Sequence, residues 1–134
     1  VIPVRLPQSL TEFRDSPKDR KAQKYRNQKI TDPDGQVFDS KAEHKFWHHL
    51  KLRERAREIF NLERQVVYVL APAVKIAGRN RPPLRYVADM RWNEGSKTGP
   101  VVVADVKGAV TPEYRIKRHL MASVHGIEIK EIRA

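Results

Sequence analysis

The sequence predicts an α/β domain in which a central mixed β-sheet is flanked by helices, in the order helix, strand, strand, strand, helix, strand. Three observations carry that expectation. Apolar residues recur at helical spacing over residues 40–58 and again over 112–125. Between those segments lie runs that are rich in Val, Tyr and Leu or alternate cleanly between apolar and polar. No internal repeat or low-complexity tract interrupts the order.

With 134 residues the chain is long enough for one domain with a hydrophobic core. Residues 1–30 read as a basic arm, in which eight Lys/Arg stand against three Asp/Glu with no sustained apolar period. Such an arm is either disordered without its ligand or a clamp on a partner. The domain is expected over residues 31–134. It opens on turn chemistry, Thr31-Asp-Pro-Asp-Gly-Gln36, with Pro33 fixing φ and Gly35 permitting a positive one.

The first helix is placed at residues 40–58, capped by Asp39 or Ser40, with Ala42, Phe46 and Leu50 and the adjacent Trp47 at helical spacing. Gln65 to Val74 reads as a strand bounded by prolines and by a basic loop, Lys75 to Pro83. Leu84 to Trp92 follows as a strand with Leu84, Tyr86, Ala88, Met90 and Trp92 on one side and Arg85, Val87, Asp89 and Arg91 on the other. A loop with two glycines leads to a third strand, Val101 to Lys107. The second helix spans 112–125, with Thr111 as cap, Pro112 at its first position, Gly126 as stop and an apolar stripe of Ile116, Leu120 and Val124. Ile127, Ile129 and Ile132 close the chain as a short strand.

The formal net charge of +11 exceeds what solubility requires and points to a polyanionic partner, with nucleic acid in the lead. No apolar run reaches the roughly 18 residues that cross a bilayer, so no membrane partner is expected. Cysteine is absent, which excludes disulfides and thiolate metal sites and is compatible with a cytoplasmic location.

The chemistry concentrates at strand ends. Tyr86-Val-Ala-Asp89 ends one strand and Asp105-Val-Lys107 the next. Residues two apart on a strand share a face, so Asp105 and Lys107 point together, and strand pairing can bring Asp89 beside them. Two carboxylates suit magnesium, which serves phosphodiester hydrolysis by activating water and neutralising charge on the phosphate. A lysine in reach of that water orients it and stabilises the transition state. Glu43 is the third acid, because it shares a helical stripe with Trp47 and Leu50 rather than the solvated face.

Bland readings stand beside these. Ser40-Lys-Ala-Glu43 also matches a capping box. Asp105 with Lys107 also fits a surface ion pair, worth ~0 to 1 kcal/mol, and Asp89 fits a turn residue. His44 and His48, four apart on the first helix, make half a zinc site or a pair of surface histidines. Lys75, Arg79, Arg81 and Arg85 suit phosphate contacts, and Lys117 reads equally as a phosphate contact or a surface lysine.

In this order the residues resemble the PD-(D/E)XK nuclease superfamily, with Glu43, Asp89, Asp105 and Lys107 on its four motif positions. More closely, Lys24-Tyr-Arg-Asn27, Phe38-Asp-Ser-Lys-Ala-Glu43, Tyr86-Val-Ala-Asp89, Val103-Ala-Asp-Val-Lys-Gly108 and Ile127-Glu-Ile-Lys130 look like small phage-encoded endonucleases related to archaeal-type Holliday junction resolvases. The likeness runs from about residue 24 to the C-terminus, and its motifs are specific only in combination. Ala88 stands where the motif has proline.

The resemblance implies a restriction-endonuclease-like core and magnesium or manganese held by Asp89, Asp105, Glu43 and the Val106 carbonyl. It also implies DNA contacts by Lys24 and Arg26, and a homodimer acting on branched DNA in the host cytoplasm during phage recombination. The alternatives are a sequence-specific or nicking endonuclease on the same core, and a DNA-binding module without catalysis.

Overall fold

The computed structural model describes residues 28–133, which fall into two units divided between Lys41 and Ala42. Lys24 and Arg26, and nearly all of the expected basic arm, lie outside the described residues. In the first unit the turn chemistry of Thr31–Gln36 closes a hairpin between β1 (Ile30–Thr31) and β2 (Val37–Phe38). Gly35 sits at φ 84 and donates its N–H to the Asp32 carbonyl at 2.8 Å, a conformation a side chain would strain.

Helix α1 (Lys41–Arg55) leads into the second unit and turns Glu43, Trp47 and Leu50 inward, at the spacing the sequence predicts. It stops short of residue 58, because Arg57 takes a left-handed φ of 58 while the Glu58 N–H closes back on the Arg53 carbonyl. β3 (Ile59–Ala71) then begins at Ile59, not Gln65. Its first half is polar in sequence, and left-handed residues at Asn61 and Gln65, with a register shift between Phe60 and Glu63, hide the period of two.

Where a loop is expected over Lys75–Pro83, the chain forms a hairpin of β4 (Val74–Ile76) and β5 (Arg79–Arg81). β6 (Leu84–Glu94) alternates as expected, with Tyr86, Ala88, Met90 and Trp92 buried and Leu84, at the strand's start, exposed. β7 (Val101–Lys107) keeps its expected bounds.

Helix α2 (Pro112–His125) also matches its expected bounds. The Tyr114 N–H donates to Thr111 Oγ1 at 3.2 Å, and Gly126 takes φ 65 at the other end. Its buried stripe differs from the expected one. Ile116 and Val124 are 62% and 52% exposed, whereas Tyr114 and Met121 are buried and Leu120 is half-buried. Both stripes satisfy a helical period. The buried one carries the tyrosine ring and the flexible methionine, which join Leu70, Tyr86, Ala88 and Val103 in the core. β8 (Lys130–Arg133) follows, with Ile127 and Ile129 packed just before it instead of within it.

The four long-range strands form one mixed sheet in the order β3-β6-β7-β8, antiparallel at the first two junctions and parallel at the last. Its core joins Leu70, Tyr86, Ala88, Val103 and Ile129 to Tyr114 and Met121 of α2. On α1, Phe46 sets its ring 6.2 Å from that of Trp92. No helix among the described residues is long and apolar enough to cross a membrane.

Candidate active site at a fork in the sheet

Strands β6 and β7 pair from Asn93↔Val101 to Met90↔Ala104 and then part. One step beyond the last pair stand Asp89 and Asp105. From there β7 stays with β8, pairing Asp105↔Glu131 and Lys107↔Arg133, while β6 stays with β3. The flanking pairs Arg64↔Met90 and Val66↔Ala88 put Gln65 across from Asp89. A row of Gln65, Asp89, Asp105 and Glu131 therefore crosses all four strands at the fork.

A fork removes ladder partners from backbone groups, and those groups must find others. The Val106 N–H finds the Asp89 carboxylate, donating to Oδ2 at 2.9 Å. Across the gap the Tyr86 hydroxyl donates to Asp105 Oδ2 at 2.6 Å, both residues being buried. Lys107 Nζ lies 3.2 Å from the same oxygen and 4.2 Å from the centre of the Tyr114 ring, so a carboxylate and an aromatic face hold the ammonium together.

Asp89 is drawn into this group from the other side. Burial first, then a hydrogen bond to Asp105 and the negative charges of Asp105 and Glu43, push its carboxyl up to about 8, against the lowering effect of the Val106 N–H. Asp105 and Glu43 are thus both close enough for their charge to act on Asp89. Glu43 is itself buried, its Oε1 3.3 Å from both Arg64 Nη2 and Gln65 Nε2. The guanidinium of Arg64 lies 5.6 Å from the Trp47 ring.

The fold brings together Glu43, Asp89, Asp105 and Lys107, with Val106 between the last two. Lys117 pairs with Glu113 on α2 at 3.2 Å. Lys75, Arg79, Arg81 and Arg85 are exposed on the hairpin and at the start of β6. His44 and His48 bring their Nε2 atoms to 3.0 Å on α1.

Four further residues belong to the cluster and escape a reading by spacing alone. Tyr86 sits inside the Tyr86–Asp89 motif, but its reach across the fork depends on β6 and β7 separating. Gln65 and Arg64 arrive through the irregular register of β3, and Tyr114 through the docking of α2. Burial, followed by the hydrogen bond to Asp105, pushes the Tyr86 hydroxyl far above its ordinary pKa and keeps it a donor. Tyr114 is pushed up as well, by burial and then by the charge of Glu131, to which its hydroxyl donates at 3.2 Å.

Tyr86→Phe deletes one donor to a buried carboxylate and nothing else. It is expected to lower stability by about 1.5 to 3 kcal/mol, read by thermal unfolding. An unchanged melting temperature would mean that this hydrogen bond does not hold Asp105.

The donors at the fork are hard oxygens. Asp89 and Asp105 each commit one oxygen, Oδ2, to protein donors, and each has a second. Three carboxylates against the cations Arg64 and Lys107 leave the cluster one positive charge short, a deficit that Asp89 meets by holding a proton near neutral pH. A small divalent cation with oxygen preference fits that donor set and that charge.

A family model described as "Protein of unknown function (DUF1064)" matches residues 22–132. No curated protein and no solved structure matches the chain.

Proposed function

For this chain, which belongs to the DUF1064 family, we propose the activity of a magnesium-dependent endonuclease that hydrolyses phosphodiester bonds in DNA and favours branched DNA over continuous duplex. The observation that carries this reading is the meeting of Glu43, Asp89 and Asp105 at the fork, with Lys107 against Asp105. Burying acids together is costly unless a cation joins them.

Asp89, Asp105 and Glu43, with the Val106 carbonyl, would hold magnesium, or manganese in its place. The ion, when bound, supplies charge neutralisation at the phosphate and acidity to a water. The chain's own groups do the rest. Tyr86 fixes the rotation of the Asp105 carboxylate through Oδ2, and the Val106 N–H does the same for Asp89. Lys107, braced on Tyr114, orients the attacking water and offsets negative charge developing on the phosphate oxygens. Arg64 and Gln65 set the position of Glu43.

The same reading includes a restriction-endonuclease-like arrangement of the α-β-β-β-α-β core and a homodimer with one site for each of two strands. It also includes phosphate contacts by Lys24, Arg26 and Lys117 and a place in phage recombination in the host cytoplasm. What supports it is the element order, the residue constellation and the net charge of +11.

The test is a competition among a labelled four-way junction, a linear duplex and supercoiled plasmid in magnesium. Cleavage of the junction first is the expected result. Preference for the linear duplex would leave a nuclease of another specificity, and binding without cleavage in magnesium or manganese would leave a DNA-binding module. Glu43→Gln serves as the companion variant, since the amide oxygen still accepts from Arg64 and Gln65 and can still complete a cap. Its melting temperature is expected to stay near wild type while cleavage falls by roughly a hundredfold or more. Full activity would confine Glu43 to a structural role.

A further inference from the structure

Between Glu63 and Asp89 the chain carries Arg64, Lys75, Arg79, Arg81 and Arg85 and no Asp or Glu. The β4–β5 hairpin lies in the middle of that stretch, and every residue of its two strands is exposed. Its register pairs Val74 with Arg81, Lys75 with Asn80 and Ile76 with Arg79. Residues directly opposite in an antiparallel pair share a face. One face of the hairpin therefore presents Val74, Ile76, Arg79 and Arg81, and the other Lys75 and Asn80.

The hairpin is built to hold its shape. Ala77 and Gly78 at its tip take φ 51 and 76, the pair of left-handed residues that a tight two-residue turn requires. Pro72 precedes it, and Pro82 and Pro83 follow, fixing φ where the chain leaves and rejoins the long strands. At its exposed face two aliphatic side chains, Val74 at 50% and Ile76 at 55% exposure, alternate across the ladder with two guanidiniums.

That combination selects among partners. A phosphate backbone alone would take the arginines and leave the aliphatic groups in water. A strand whose bases are unstacked offers both, with phosphates on the outside and apolar base faces beside them. Continuous duplex hides base faces by stacking, whereas a branch point interrupts the stack, so that an inserted apolar group uncovers them at lower cost.

We propose that the β4–β5 hairpin is a wedge that recognises branch points in DNA, Arg79 and Arg81 holding phosphates while Val74 and Ile76 cover the bases unstacked at the branch. This rests on DNA being the substrate, and it supplies a physical source for the preference for branched DNA.

The experiment measures binding of the full chain to a four-way junction and to a linear duplex of equal length, in calcium without magnesium, across a salt series. Val74→Ser/Ile76→Ser is expected to bind the duplex as wild type does and to lose roughly tenfold on the junction, the share of two exposed aliphatic groups that become partly covered on binding. Arg79→Ala/Arg81→Ala is expected to lower the salt slope by about 2 on both substrates. Because the four side chains are exposed, melting temperatures should match wild type.

A junction preference retained by the aliphatic variant would overturn the wedge and leave the nuclease reading intact. Equal affinity of wild type for junction and duplex would do the same. Wild type that binds neither DNA would remove the substrate reading and the wedge with it. Loss of a dimer on sedimentation of the aliphatic variant, with junction preference unchanged, would make this face a contact between protein chains instead.

Discussion

Asp105→Asn is expected to abolish cleavage in magnesium, by roughly a thousandfold or more, while the protein still binds DNA. Asparagine keeps the shape of the side chain and an oxygen that accepts from the Tyr86 hydroxyl, so the fork should stay closed on that side. What it removes is one negative charge from the donor set, and Lys107 loses the carboxylate 3.2 Å away that helps hold its ammonium in place. Affinity for DNA should persist, because arginines and lysines contacting phosphates carry most of it. Gel-shift and cleavage assays on the same labelled junction separate the two effects. Turnover at the wild-type rate would end the assignment of Asp105 to a metal site, and loss of binding together with cleavage would mean that the variant had disturbed the fold.

The second large effect concerns pH. Asp89 holds its proton in the folded protein up to about 8, whereas in the unfolded chain an aspartate releases it near ~4. Between those values the native state binds more protons than the unfolded one, so stability falls as pH rises. The stabilising contribution is complete below about pH 4 and lost through pH 8, with a slope of at most ~1.4 kcal/mol per pH unit from one group. Glu94 and Glu131 act in the opposite sense. Glu94 is lowered by a hydrogen bond from Trp92 and by Arg53, and Glu131 by a hydrogen bond from Arg118. Their contribution is lost as pH drops through the acid range, so metal-free stability should pass through a maximum on the acid side of neutrality.

Magnesium reverses the alkaline side of that curve, since the ion and the Asp89 proton compete for one carboxylate. Thermal unfolding with and without magnesium at pH 5.5 and pH 8 checks it. The expected increment in melting temperature is larger at pH 8, and Asp89→Asn should flatten the metal-free curve and erase the increment. Equal increments at both pH values in the wild-type protein would remove Asp89 from the metal site.

Much of the site is legible from residue order because strand ends and helix stripes are local. Asp105 and Lys107 follow a strand whose apolar run ends in charge, and Asp89 ends the strand before it. Glu43 falls on the same helical stripe as Trp47 and Leu50, all three of which are buried. The parts that escape are those fixed by register. Gln65 looks like the start of a strand, yet it lies within β3 at φ 52 and faces Asp89, because a shift between Phe60 and Glu63 slides the polar half of the strand into place. Tyr86 reads as one more apolar residue in an alternating strand until the separation of β6 and β7 lets its hydroxyl reach Asp105.

The sequence by itself determined the elements whose signals are local: α2 with its threonine cap and glycine stop, β6 with its period of two, β7 with its apolar run, and the order in which they follow. The tertiary structure alone decided which stripe of α2 is buried, that residues 74–81 pair as a hairpin, and that the central strands part at Asp89 and Asp105. The reason is physical. Caps, turns and alternation depend on neighbours within a few residues, whereas the choice between two helical stripes, the slip of a strand and the opening of a ladder depend on which distant surfaces fill the space between them.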